Sequence, residues 1–235
     1  MSQRALGVLI VVVGVVLAGL VSVLLLLPRS VPPSGAMQQG QGGTVMDAAS
    51  EPLKPDEMLV GYQIPEFALT DQDGRPVEQS ILDGELTILT FIFTNCPFAC
   101  PGMTGEMLKL QENLKGTGVR FLSISVDPAN DTPEVLKAYG ERNGIDFARW
   151  SLLTGPFEDV RSIVRDSLNF FVGEDTSRQI TLADGSSMNN LSHPSHLILV
   201  GPEREVLGIY LYYEPERMVA LRTRARAAAR ELGLN

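Results

Sequence analysis

The chain has 235 residues and a formal net charge of −9, with only two cysteines and two histidines. An acidic chain with no basic stripe through its main part argues against nucleic acid as a partner. All thiol chemistry must rest on one cysteine pair, Cys96 and Cys100.

The N-terminus comes first. Ala5 to Leu27 is 23 residues without a charge, bounded by Arg4 and by Pro28-Arg29. About 20 apolar residues span a bilayer core, whereas the apolar part of a cleaved signal peptide is about 7–15 residues long. An uncleaved single-pass anchor over residues 1–27 is expected, with cleavage near Ser34-Gly35-Ala36 as the alternative. Arg4 and the α-amino group tilt the positive-inside count towards a cytoplasmic N-terminus. No long Arg-rich, acid-poor presequence points to an organelle. The expected location is the bacterial inner membrane, with the bulk on the periplasmic or extracytoplasmic side. Residues 28–57, rich in Pro, Gly, Ser and Gln, read as a flexible linker. Residues 58–235 suit one domain with a full core.

Within that domain, Ile64 to Leu69 reads as a short strand. Asp71 to Gly74 is a turn, and Arg75 to Val77 a second strand, so a hairpin is expected. Ser80 to Leu82 is a brief turn or helix. Leu86 to Phe93 mixes β-branched and aromatic residues, as a strand buried on both faces does. Cys96-Pro97-Phe98-Ala99-Cys100-Pro101 follows, and then a helical spacing of Met107, Leu108, Leu110 and Leu114. Val119 to Val126 is a further core strand. Thr132-Pro133-Glu134 reads as an N-cap with Pro at the first helical position, opening a helix to about Asn143. Phe147 to Leu153 is expected as a strand and Phe157 to Leu168 as a helix. Residues 171–190 read as an excursion with one hairpin. His196 to Val200 and Val206 to Tyr212 are expected to pair antiparallel, and Glu214 to Leu232 to form a terminal helix.

That order predicts an α/β fold: a thioredoxin-like mixed sheet flanked by helices, with an N-terminal β-hairpin. The cysteines then sit beyond a central strand at or before a helix N-terminus, where ligands collect and a thiolate is favoured. Cys96 and Cys100 are four apart and face one way on a helix or turn. They can form a redox-active pair that closes to a disulfide, a soft-metal site, or both. A purely structural bridge over so short a loop would contribute little. His193 and His196 precede the strand that ends at Gly201-Pro202, and either could supply a nitrogen. Two sulfurs and an imidazole suit copper; structural zinc usually takes four ligands. Met103 and Met107 are further thioether donors or plain core residues.

These residues resemble the SCO/SenC family of copper-binding, cytochrome oxidase assembly proteins. Its cysteine motif is matched by Cys96-Pro97-Phe98-Ala99-Cys100-Pro101 after Phe93-Thr94. A second block is similar at Ser125-Val126-Asp127-Pro128 and Asp131-Thr132-Pro133-Glu134. The family's histidine spacing before Gly201-Pro202 selects His193 over His196. The resemblance implies copper, as Cu(I) or Cu(II), held by Cys96, Cys100 and His193. It also implies a membrane-tethered chaperone that delivers copper to, or keeps reduced the thiols of, the dinuclear copper site of cytochrome c oxidase subunit II or another cuproprotein client. A copper donor or a thiol reductant would be its other partner.

The sequence departs from the family pattern at Phe98, Ser192 and Pro194. Phe98 stands where an acidic residue is common, and Ser192 where an Asp often precedes the histidine. Pro194 raises a cis His193–Pro194 bond as a way to aim the imidazole. The competing function is an extracytoplasmic thiol–disulfide oxidoreductase with no copper-transfer role, Cys96 attacking and Cys100 resolving.

Overall fold

The computed structural model describes residues 51–182 and 184–234. The expected anchor, and the expected linker up to residue 50, lie outside the described residues. Among the described residues, no helix is long and apolar enough to cross a membrane.

A hairpin opens the sheet: β1 (Ala68–Asp71) pairs antiparallel with β2 (Pro76–Glu78). Asp71 Oδ1 accepts from the Asp73 and Arg75 backbone N–H groups and shapes the turn. The strand starts later than the expected Ile64. Pro65 has no N–H for a ladder, and Ile64 is instead buried in the core. β3 (Thr87–Ile92) is buried at all six positions, and α1 (Ala99–Asn113) follows it. β4 (Arg120–Ser125) leads to α2 (Pro133–Asn143). Thr132 caps α2 by accepting from the Val135 N–H, and Gly144 ends it in the left-handed region at φ 74°.

β5 (Trp150–Thr154) is shorter than the strand expected from Phe147. The Asp146 carbonyl accepts from both the Arg149 and the Trp150 N–H and makes residues 147–149 a turn. α3 runs from Phe157 to Arg161 and widens into a π-helical turn over Ser162–Ser167. Val160, Ile163, Val164 and Leu168 are buried at helical spacing, but apolar spacing alone does not separate 3.6 residues per turn from a wider winding. β6 (Gly173–Thr181) and β7 (Ser187–Ser192) form the expected hairpin as a separate two-stranded sheet. β8 (His196–Val200), β9 (Val206–Leu211) and α4 (Pro215–Glu231) complete the chain.

The main sheet has the order β2-β1-β5-β4-β3-β8-β9. β3, β4 and β5 are parallel, and β8 and β9 continue antiparallel from β3. This is the thioredoxin-like mixed sheet with flanking helices. α1 packs against α4, and α2 against β5. The core is continuous through Leu89, Phe91, Phe121, Trp150 and Leu221. Trp150 satisfies its indole N–H on Ser123 Oγ at 3.0 Å. Chemistry at the carboxyl end of β3 therefore rests on a fully buried strand with parallel and antiparallel neighbours.

The domain also starts earlier than residue 58. Pro52 is buried and Leu53 packs on the core. Arg224 of α4, 1% exposed, donates to the carbonyls of Pro52 and Lys54, to Asp56 Oδ1 and to the Tyr210 hydroxyl. Composition alone reads residues 51–57 as linker, but this buried guanidinium, some 170 residues away, holds their backbone to the domain.

Candidate metal centre

β3 ends at Ile92, and Phe93 to Cys96 form a turn closed by the Cys96 N–H donating to the Phe93 carbonyl at 3.2 Å. α1 begins at Ala99. Cys100 therefore lies inside the first helical turn and Cys96 just ahead of it. Phe93 also reaches the second sulfur, since its N–H donates to Cys100 Sγ at 3.5 Å. Its ring meets the His193 imidazole edge-on, centroids 5.6 Å apart. One residue at the strand end thus touches all three candidate ligands.

Both thiols are free and buried, Cys96 at 7% exposure and Cys100 at 1%. They are not equivalent. A hydrogen bond from the Cys100 thiol, the largest influence, lowers Cys96 to about 4 against the opposing effect of burial; His193 and the backbone N–H groups of Cys100 and Phe98 add to it. Burial pushes Cys100 well above the ordinary thiol value, and the Cys96 thiolate adds to that rise. The pair holds one thiolate and one thiol at neutral pH, with Cys96 as the nucleophile.

His193 follows β7. Its Nε2 lies 3.3 Å from Cys100 Sγ, and its Nδ1 lies 3.2 Å from the Pro194 carbonyl. A carbonyl only accepts, so Nδ1 carries the proton and Nε2 faces the sulfurs. Bare, Nε2 is a metal ligand; protonated, it is a donor to a thiolate. The ligand atoms of Cys96, Cys100 and His193 all lie within 4.8 Å of one another. The orientation is reached with a trans His193–Pro194 bond, since no described peptide is cis.

The second histidine goes elsewhere. His196 stacks on Phe170 with centroids 4.7 Å apart, and burial lowers its pKa. Met103 and Met107 are fully buried, as core packing requires. Phe98 is 55% exposed beside the thiols, and the Arg178 guanidinium of β6 sits 5.8 Å from its ring centroid. The spacing of apolar residues gave no sign of Phe93 or Thr94 as parts of the site. Both lie at a strand end, where only the turn reveals what they touch.

The donor set decides which ion fits. Two sulfurs and one imidazole nitrogen favour a soft or borderline ion and suit copper. The three lie one short of the four ligands of structural zinc.

A thioredoxin-like domain with paired thiols and an imidazole beyond its central strand is a metal-binding thiol protein by class. The chain belongs to the SCO1/SenC family, whose model matches residues 60–228. It is 34% identical over 153 residues to the SCO1 protein homolog of Bacillus subtilis, covering 64% of this chain and 75% of that protein. Among solved structures it is similar to BsSco, described as a member of the Sco family of cytochrome c oxidase assembly proteins with a disulfide switch. That match has a TM-score of 0.60 at 32% identity and covers 72% of this chain and 94% of that one. Arabidopsis thaliana ScoI with copper bound matches with a TM-score of 0.53 at 26% identity, over 69% of this chain and 97% of that one.

Proposed function

We propose that this chain is a membrane-tethered copper-binding protein of cytochrome c oxidase assembly, with copper as its cargo on Cys96, Cys100 and His193. The observation that carries the reading is the convergence of these three ligand atoms within 4.8 Å. BsSco and the copper-bound Arabidopsis protein are similar in fold and sequence. The client in this reading is the dinuclear copper site of oxidase subunit II. The charge-free stretch Ala5 to Leu27 supplies the tether to the bacterial inner membrane.

Loading follows from the thiol chemistry. Cys96 is already a thiolate, and Cys100 gives up its proton as the ion enters. A Cys96–Cys100 disulfide removes both sulfur ligands, so only the reduced chain takes copper. The test is Cu(I) titration of the reduced full-length chain against a competing chelator. Tight one-to-one binding that disappears on oxidation supports the reading. Weak binding indifferent to the thiol state overturns it.

The unequal thiols support a second role on the same pair. Cys96 thiolate attacks a client disulfide, forms a mixed disulfide and releases one client thiolate. Cys100 then loses its proton and attacks the Cys96 sulfur. The client leaves as a dithiol, and the two electrons come from the pair, which closes to a disulfide. A dithiol reductant must reopen it. A Cys100→Ser variant that traps the client covalently supports this role, and a variant that traps nothing removes it.

A further inference from the structure

The block from Asp127 to Asp131 supplies no ligand atom to the sulfur pair, yet it is anchored beneath it. Asp131, on the loop before α2, is fully buried. Its carboxylate takes three donors. The Thr94 N–H lies 3.1 and 3.3 Å from the two oxygens. The Thr94 hydroxyl donates to Oδ1 at 2.5 Å, and the Ser125 hydroxyl donates to Oδ2 at 2.5 Å. The Asp127 N–H occupies the Ser125 oxygen as its acceptor, so the Ser125 proton is directed at Asp131. The carboxylate joins the ends of β3 and β4.

Thr94 follows Phe93 directly, and the Phe93 backbone holds both cysteines by its carbonyl and its N–H. We infer that Asp131 is a positioning residue for the sulfur pair: through Thr94 it fixes the Phe93–Cys96 turn, and with it the placement of Cys96 against Cys100 and His193. The inference rests on the copper reading only for the identity of the metal. A carboxylate suits the task because it offers acceptors alone, and all the groups aimed at it are donors. An amide of the same shape sets a donor against one of them. The Thr94 N–H still reaches the remaining oxygen, but the hydroxyl that meets the amide N–H must rotate away, which breaks one end of the link between β3 and β4 and frees the turn to shift.

The test uses the full-length chain with Asp131→Asn, Thr94→Val, the two combined, and Thr94→Ser. Two quantities are read: Cu(I) affinity against a chelator, and the equilibrium of the Cys96–Cys100 disulfide with a glutathione buffer. Each single change should lower Cu(I) affinity by about tenfold or more, the scale on which residues behind metal ligands act. Each should also shift the disulfide equilibrium. The combined variant should lose no more than Asp131→Asn alone, because both changes act on one contact. Thr94→Ser keeps the hydroxyl and should behave as the parent chain.

Ser123→Ala is the control. It removes a buried bond to Trp150, lowers stability and should leave both quantities unchanged. If Asp131→Asn fails to fold, Thr94→Val decides alone. Unchanged affinity and disulfide equilibrium in Thr94→Val, or losses that add in the combined variant, overturn the inference. If the parent chain binds no Cu(I), the copper reading fails, and the disulfide equilibrium alone decides the role of Asp131.

Discussion

The Nε2 atom of His193 lies 3.3 Å from the Sγ of Cys100, across 93 residues of sequence. The other histidine, His196, is three residues further on and stacks on Phe170 instead. A Cu(I) titration should therefore separate the two. His193→Ala should lower affinity by more than about 100-fold, beyond the 10–100-fold cost of changing a residue behind a ligand. His196→Ala should leave affinity unchanged. Equal losses in both variants would remove His193 from the ligand set.

Thiol reactivity should split across pH. Cys96, lowered to about 4 chiefly by the Cys100 hydrogen bond, is a thiolate at every pH above that value. Cys100, raised by burial, stays a thiol beyond the ordinary thiol value. Alkylation by iodoacetamide, read by peptide mass spectrometry, should mark Cys96 in mildly acidic buffer and spare Cys100. Cys100→Ala removes the main donor and should move the onset of Cys96 reactivity to higher pH. Copper loading needs both sulfurs deprotonated, so affinity should fall as pH falls, with Cys100 supplying the proton released at neutral pH.

Phe98 permits a clean charge test. Its side chain is largely exposed, so Phe98→Asp should change stability by no more than about 0.5 kcal/mol. The new carboxylate stands two residues from the Cys96 thiolate, and a like charge disfavours ionisation. The pH at which Cys96 becomes reactive should rise. An unchanged alkylation profile would show that the substituted side chain points its charge away from the sulfur.

The Arg224 clamp predicts a stability effect far from the metal centre. Arg224→Ala leaves the carbonyls of Pro52 and Lys54 without this donor and empties a buried position. The expected cost is about 2–4 kcal/mol, measured by denaturant unfolding. Residues 51–57 should also detach, so a glutamate-specific protease should cut after Glu57 in the variant at concentrations that spare the parent chain. Resistance equal to the parent would show that Leu53 and Pro52 hold the segment without the guanidinium.

Much of this protein is legible along the chain because its elements carry local signals. β3 reads as a continuous apolar run because it is buried on both faces. α2 reads from Thr132-Pro133 at one end and Gly144 at the other because helix ends have their own chemistry. The cysteine pair is visible because it is the only one, and the resemblance to the SCO/SenC family selects His193. The bounds of β1, the π-helical turn after Arg161 and the docking of residues 51–57 were not legible. Each depends on which partner a backbone group finds, and composition does not encode that.

Sequence alone determined the order of elements, the thiol pair and the family. Tertiary structure decided how they act. It made Cys96 a thiolate and Cys100 a thiol by burying one deeper and hydrogen-bonding it to the other. It brought Asp131 under Thr94 across 37 residues and Arg224 onto Pro52 across 172. The physical reason is one of range. Hydrophobic periodicity and capping act over a few residues, whereas a buried carboxylate or guanidinium takes its role from whatever donors or acceptors the packed sheet and helices bring within about 3 Å of it.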